Sequence, residues 1–240
     1  MRTGLAPILL LTVLAACDRP PAREPGRPEA ASTAAVQLTE DQAFRLAFGA
    51  PAPATRTGVR PEAPDETLTY RPAGLQPLGD GLVLVSLATS GSDCHVCTGA
   101  VAVHYLKPRA AGWAVTSASP ELLTGRGFGE PPDWSIRRDL GSSPMLVTEA
   151  GYTGQGYTCT TSDLVELTPA GPVLRGEAIV VHQDDAGAVG PEHATVSRGK
   201  LGMRPDGTLR VDFGARGSVD YELRQGRYVA VAGPQALREC

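Results

Sequence analysis

The segment Asp93-Cys94-His95-Val96-Cys97 holds the pair of side chains in this chain whose spacing most readily suggests chemistry. In thiol–disulfide enzymes such a pair stands at a helix N-terminus, which lowers the pKa of the first thiol and makes it a nucleophile. The residues after Cys97 instead have the pattern of a strand, and the chain shows no thioredoxin-like alternation of strands and helices. A structural disulfide is therefore the favoured interpretation. The alternative is a periplasmic oxidoreductase in which Cys94 and Cys97 react and His95 tunes the pair.

Metals and haem need ligands that this motif lacks. A c-type haem requires histidine directly after the second cysteine, where Thr98 stands, and zinc would require two further ligands. A later segment gathers carboxylates and imidazoles that could suit a metal. These residues are His182, Asp184, Asp185, Glu192 and His193. Because Gly187 and Gly190 in the same segment favour a polar hairpin loop, we expect no metal and no other cofactor.

Aromatic residues are the second group of candidates for a ligand-binding site. The segment Gly151–Tyr157 lacks the Lys-Ser/Thr and the following helix of a phosphate-binding loop. We expect a tight connection between strands there, with Tyr152 and Tyr157 exposed for a ligand. Trp113 and Trp134 are expected in the core of a sheet. The chain contains no Gly-x-Ser-x-Gly, the nucleophile elbow of many hydrolases. The favoured interpretation is therefore that the protein is not an enzyme, although an enzymatic role stays open.

The N-terminus has the features of an export signal. Arg2 is a basic start, and the apolar run Leu5–Ala16 is shorter than the roughly 20 residues of a membrane-spanning helix. Leu14-Ala15-Ala16-Cys17 resembles the lipobox of bacterial lipoproteins. The resemblance implies cleavage before Cys17, a diacylglyceryl group on its thiol, and further acyl chains such as palmitate that hold the protein to a membrane. Asp18 favours the inner membrane, as in enteric lipoproteins, but the inner and outer membranes both stay open.

Lipid on Cys17 would leave four cysteines in an oxidising compartment, and an even number favours two disulfides. Pairing Cys94 with Cys97 and Cys159 with Cys240 is favoured, because the last cysteine would then hold the C-terminus in place. The alternative joins the Cys94/Cys97 segment to the two distant cysteines.

The charge balance excludes one class of partner. The chain has 22 basic and 26 acidic residues, a net charge of −4. Residues 1–16 contain one arginine and no acid, so the mature chain would carry 21 basic and 26 acidic residues, a net charge of −5. No basic stripe occurs, so we expect no nucleic-acid partner.

The lipobox resemblance implies a signal peptide at 1–16 and a lipidated cysteine at the start of the segment 17–35. Composition and periodicity predict that the rest of this segment is a proline-rich disordered tether and that 36–240 is one domain. The domain begins with one short helix that Thr39 and Gln42 cap, followed by a proline-rich link to about Asp65. Period-two alternation then predicts strands in the rest of the domain, most clearly at 209–213 and 219–223. The predicted fold is mainly β, an antiparallel meander that forms a sandwich or an open barrel.

These patterns together predict a membrane-anchored envelope lipoprotein that faces the periplasm. Its domain is expected to be a non-catalytic binding or structural module for an unknown protein or other envelope ligand. The thiol–disulfide oxidoreductase based on Cys94 and Cys97 is the alternative function.

Overall fold

The short N-terminal helix forms where the sequence predicts it. In the computed structural model, which describes residues 38–92, 94–125 and 127–240, helix α1 spans Glu40–Phe48. Thr39 accepts a hydrogen bond from the Gln42 backbone N–H, and the Gln42 side chain accepts one from the Thr39 backbone N–H, which completes the capping box. Gly49 ends the helix in the left-handed conformation, with φ at 69°.

Almost all of the remaining regular structure in the described chain is strand. A second helical turn, α2, covers Ala186–Val189. The strands are β1 (Ala54–Thr57), β2 (Thr67–Leu78), β3 (Gly81–Ser90), β4 (Ala100–Arg109), β5 (Gly112–Thr124), β6 (Asp133–Arg137), β7 (Met145–Gly154), β8 (Tyr157–Thr168), β9 (Gly171–Asp184), β10 (Val196–Arg198), β11 (Lys200–Met203), β12 (Leu209–Asp212), β13 (Ser218–Arg224) and β14 (Arg227–Ala232).

Each strand pairs antiparallel with its neighbour in the chain, so the described residues form three consecutive meanders. Sheet 1 contains β1 to β5, sheet 2 contains β6 to β10, and sheet 3 contains β11 to β14. The sheets are curled, and the mainly β, antiparallel fold predicted from the sequence is confirmed. The described residues belong to one compact unit that spans Gln37–Cys240.

Three hydrophobic clusters stack the elements in layers. Helix α1 packs on one face of sheet 1, the other face of sheet 1 packs on sheet 2, and sheet 2 packs on sheet 3. Strand β4 shows the consequence: Ala100 and Ala102 face the helix, while Val101 and Val103 face sheet 2. A strand in such a middle layer is mostly apolar, because both of its faces are buried, and β4 holds one buried imidazole, that of His104.

One face of sheet 3 is exposed to solvent, as the alternating pattern predicts. Leu209 and Val211 of β12 are buried in the core, whereas Arg210 points away from it and forms two hydrogen bonds with Asp220 of β13, at 2.6 and 2.8 Å. One face of sheet 3 is therefore core and the other carries ion pairs.

The sequence misses four strands for identifiable reasons. Strand β1 lies within the predicted proline-rich link, and only Ala54 of its four residues is buried. Strand β2 contains Pro72 and Pro77, which argue against a strand, but a register shift between Pro72 and Gly74 accommodates the first of them. Strands β10 and β11 have three and four residues, too few for a period to be recognised.

The predicted signal peptide, lipobox cysteine Cys17, tether and Asp93 lie outside the described residues. Within the described part of the chain, neither helix has the length and apolar character needed to cross a bilayer.

Candidate functional site

The four cysteines that the structure describes form the favoured pairs. The Cα atoms of Cys94 and Cys97 are 5.1 Å apart, and those of Cys159 and Cys240 are 5.7 Å apart, both within the range of disulfide bonds. The second bond links β8 to the last residue. Gln183 of β9 supports the same segment by donating hydrogen bonds to the carbonyl oxygens of Ala236 and Glu239, at 2.9 and 2.6 Å.

The Cys94–Cys97 bond closes a tight turn whose chain continues into a strand. Residues 97–99 have no regular structure, and β4 begins at Ala100, so no helix starts at this motif. The helix N-terminus that accompanies the reactive pair in thiol–disulfide enzymes is therefore absent from this part of the described chain. Cys94 is exposed and Cys97 is half-buried.

Backbone hydrogen bonds hold this turn, called here the disulfide loop (residues 94–97), against the segment 127–129. The N–H groups of Phe128 and Gly129 donate to the carbonyl oxygens of Cys94 and Cys97, at 3.1 and 2.8 Å. A Cβ atom at Gly127 would collide with the His95 carbonyl oxygen, so glycine is required for this close approach. Phe128 has φ at 63°, a left-handed conformation that costs a non-glycine residue about 1–2 kcal/mol.

This strained backbone places the Phe128 ring at the rim of a groove of about 730 Å³, called here the aromatic groove. The Phe128 side chain is 60% exposed, and Tyr152 on β7 is 64% exposed. The ring of His95 lies edge-on to both, with centroid distances of 4.9 Å to Phe128 and 6.4 Å to Tyr152. Half-buried Trp134 at the start of β6 also lines the groove. Exposed rings clustered around a concave surface are typical of a binding site.

Two carboxylates line the aromatic groove. Glu130 and Asp133 are exposed and line it, and none of its described lining residues is lysine or arginine. Pro131 and Pro132 lie between these two carboxylates and limit the backbone freedom of the wall that carries them.

A second depression, of about 540 Å³, also borders the disulfide loop. Val96 and Cys97 line it together with the exposed carboxylates of Glu62 and Asp65. It is called here the acidic depression.

A buried ion cluster forms the floor of the acidic depression. Arg60 is 7% exposed and contacts the carboxylates of Glu66, at 2.8 Å, and Glu121. A hydrogen bond from Ser90 makes the largest contribution to a lowered pKa of Glu66, and the hydrogen bond from Arg60 adds to it against the effect of burial. Arg60 also donates to the Thr98 hydroxyl at 3.3 Å. The cluster thereby fastens the segment that follows the disulfide loop.

The residues of the candidate metal segment do not converge on one point. Asp184 and Asp185 accept hydrogen bonds from the backbone N–H groups of Ala186 and Thr195, as turn residues do. Glu192 and His193 are exposed and contact each other at 3.9 Å, while His182 lies on β9. No three His, Cys, Asp or Glu side chains in the described parts of the chain are arranged to hold a metal ion.

The predictions for the aromatic residues are confirmed in large part. Gln155 and Gly156, with φ at 53° and 83°, form the tight turn between β7 and β8, and Tyr152 and Tyr157 on either side of it are exposed. Trp113 and Trp134 are half-buried and pack against two of the core clusters, although Trp134 also reaches the groove.

Sequence reasoning missed Phe128, Glu130 and the ion pairs of Arg60. The one available signal for Phe128 was its position between Gly127 and Gly129, because a large ring between two glycines in a loop is poorly suited to a core. The groove brings together the disulfide loop, the 127–134 segment and β7, and its rings and carboxylates can hold an apolar or cationic group. Comparisons of the chain with protein-family models, with curated proteins and with solved structures gave no match.

Proposed function

We propose that this protein is a non-catalytic binding module of the bacterial cell envelope, held at a membrane by lipid on Cys17, and that the aromatic groove is its binding site. The exposed rings of Phe128 and Tyr152 carry the proposal. Two large rings left in water beside a groove lose the stabilisation that burial would supply, and binding a partner recovers it.

The rigidity of the rim supports the same proposal. A disulfide, two backbone hydrogen bonds and a close glycine contact hold the loops that carry His95 and Phe128. A binding surface that is already ordered loses little entropy when its partner binds. This rigidity gives the Cys-x-x-Cys motif a structural role in a segment that the described chain continues as a strand and not as a helix.

The binding site is tested by photo-crosslinking in living cells of the bacterium that makes the protein. A photoreactive amino acid replaces Phe128 or Tyr152, and matched controls replace Leu223 and Val229, which are 53% and 44% exposed on sheet 3. We expect a discrete crosslinked product from the two groove positions and none from the controls. Equal products from all four positions, or none from any, would overturn the proposed site.

The lipid anchor rests on the lipobox and is tested separately. Cells that express the protein are grown with labelled palmitate and then fractionated. We expect label on the wild-type chain in the membrane fraction. The Cys17→Ser variant should carry no label, and a label that persists in this variant would exclude Cys17 as the acceptor.

One observation keeps the oxidoreductase as a second candidate: exposed Cys94 lies in the loop that borders the groove. The strand that follows Cys97 argues against it, and we expect a reduction potential below about −300 mV, as in structural disulfides. Thiol trapping in redox buffers measures it in a Cys159→Ser/Cys240→Ser background, where Cys94 and Cys97 form the sole pair in the domain. A value near that of known oxidoreductases would replace the binding module with the enzyme.

A further inference from the structure

A small cavity of about 240 Å³, called here the basic cavity, lies at the end of β4 that is remote from the disulfide loop. The disulfide loop precedes the first residue of β4, whereas the cavity is lined by the second half of that strand. Because a strand rises about 3.3 Å per residue, the two ends of β4 are about 30 Å apart along the strand. The cavity is therefore separate from the aromatic groove. Its lining residues are Tyr105, Lys107 and Arg109 of β4, Thr116 and Ser117 of β5, and the turn 169–170 between β8 and β9.

Strand geometry places the donors of the basic cavity on one face of sheet 1. Side chains two residues apart in a strand point to the same face, so Tyr105, Lys107 and Arg109 form one row. Ser117 lies directly opposite Tyr105 in the antiparallel pair of β4 and β5 and shares that face. Tyr105 packs in the core between sheets 1 and 2, and β4 becomes exposed beyond it. The row therefore runs from a buried hydroxyl to an exposed guanidinium.

The buried end of this row is a hydroxyl without a partner. Tyr105 is 4% exposed, and its hydroxyl forms no hydrogen bond with any described residue. Burial raises the pKa of Tyr105 to about 12, so the hydroxyl keeps its proton at neutral pH and remains a donor. A buried hydroxyl that has lost its hydration and gained no hydrogen bond costs the folded state free energy. A ligand that accepts a hydrogen bond from it recovers that cost.

Two cations and no carboxylate line the basic cavity in the part of the chain that the structure describes. Arg109 is exposed and forms no ion pair with another described residue. Lys107 contacts Asp80 at 3.9 Å, but that carboxylate is 75% exposed and lies outside the cavity. Such a long, solvated contact contributes little, so both cations stay available to an anion.

These donors suit a phosphate group. Lysine and arginine bind phosphate through charge-assisted hydrogen bonds, and neutral hydroxyl groups add further donors. The oxygens of a phosphate group are arranged tetrahedrally, so donors on two strands can reach it together, whereas the oxygens of a carboxylate lie in one plane. A cation would be repelled by Lys107 and Arg109, and a neutral ligand would gain little from their charges.

We propose that the basic cavity is a second binding site of this protein and that its ligand is a phosphate group. Lys107 and Arg109 neutralise the charge of the phosphate. Tyr105 donates a hydrogen bond to it from the buried side, and Ser117 donates one from β5. The Thr116 hydroxyl already donates to the carbonyl oxygen of Tyr105, at 3.3 Å, and takes no part. The phosphate belongs to a soluble molecule or to a phospholipid head group, since both present the same oxygens.

The proposal is tested by titrating the purified protein with sodium phosphate at neutral pH and constant ionic strength, with backbone amide signals followed by NMR. We expect a saturable change in the signals of β4 and β5 around the cavity. Lys107→Gln and Arg109→Gln should each weaken phosphate binding about tenfold, because each removes a hydrogen bond from a charged group. Tyr105→Phe should weaken it about threefold and leave the free energy of unfolding unchanged or higher, since the lost hydroxyl has no partner in the fold.

Matched controls separate the basic cavity from general attraction to exposed cations. Arg198→Gln and Lys200→Gln remove exposed cations on β10 and β11, outside the cavity. We expect both variants to bind phosphate as the wild-type protein does. If they weaken binding as much as Arg109→Gln does, or if Tyr105→Phe binds phosphate as tightly as the wild-type protein, the proposed site is wrong.

Two further probes identify the chemistry and the source of the ligand. Glycerophosphoglycerol is the water-soluble head group of phosphatidylglycerol, and acetate is a planar carboxylate. Tighter binding of glycerophosphoglycerol than of inorganic phosphate would support the site and assign it to lipid, whereas the reverse would support the site and assign it to a soluble phosphate. Acetate that binds as tightly as phosphate, or phosphate that does not bind at all, would overturn the proposal. The crosslinks at Phe128 and Tyr152 do not depend on this cavity, so each proposal can fail without the other.

Discussion

Replacing Arg60 with methionine is expected to lower the free energy of unfolding by about 3–5 kcal/mol. Arg60, Glu66 and Glu121 are 7%, 10% and 18% exposed, so the substitution leaves two carboxylates without their cation in a largely buried site. An unpaired buried charge loses its solvation and gains nothing in return. Urea unfolding of the wild-type protein and the variant measures the difference.

Two further variants establish that the loss arises from unpaired charge. The triple variant Arg60→Met/Glu66→Gln/Glu121→Gln removes all three charges and should recover part of the stability. Arg224→Met breaks an ion pair with Glu222 at 3.0 Å, but these side chains are 59% and 53% exposed, so we expect a change within about 0.5 kcal/mol. A similar effect from Arg60→Met and Arg224→Met would contradict a structural role for the buried cluster.

The Arg60 cluster also connects stability to the candidate site. Arg60 donates to the Thr98 hydroxyl, next to Cys97, and Ser90 donates to Glu66. Loss of the cluster therefore removes the hydrogen bond that holds Thr98, the residue directly after the disulfide loop. The crosslinks at Phe128 and Tyr152, which depend on that loop through the backbone hydrogen bonds to residues 94 and 97, should weaken in the same variant.

Acidification from pH 6.5 to pH 4 is expected to destabilise the protein through His104 by about 3 kcal/mol. His104 on β4 is 4% exposed, and the centroid of its ring lies 4.8 Å from the centroid of the Phe48 ring. Burial first, and the nearby Arg56 charge second, lower the pKa of His104 from 6.5 to about 4. Between these two values the unfolded chain binds a proton that the folded protein does not, so stability falls as the pH falls.

The measurement is the free energy of unfolding at several pH values between 7 and 4 for the wild-type protein and His104→Leu. The variant should lose the His104 part of the pH dependence and keep the part due to carboxylates. The control His193→Gln changes a histidine that is 74% exposed and should leave the slope unchanged. An identical slope in the wild-type protein and His104→Leu would show that His104 is not the responsible group.

Local features of the fold could be predicted because they depend on residues close in sequence. The capping box of α1 needs only Thr39 and Gln42, and its end needs only Gly49. The alternation in β12 and β13 likewise contains its own signal, since one face meets the core and the other meets water. Strand β2 escaped prediction because Pro72 is accommodated by a bulge in its pairing with β3, and β1 because only Ala54 of its four residues is buried.

The sequence favoured the observed cysteine pairs and left the alternative connectivity open, whereas the turn residues between Tyr152 and Tyr157 predicted the exposure of both rings. The groove did not. Phe128 and Glu130 come from the connection between sheets 1 and 2, Asp133 begins β6, and Tyr152 comes from β7 of sheet 2. The stacking of the sheets, which depends on burial of apolar faces distant in the chain, brings them to the disulfide loop. The sequence by itself therefore determined the class of fold and favoured the cysteine pairs that form, while the tertiary structure alone decided that rings and carboxylates meet at one surface.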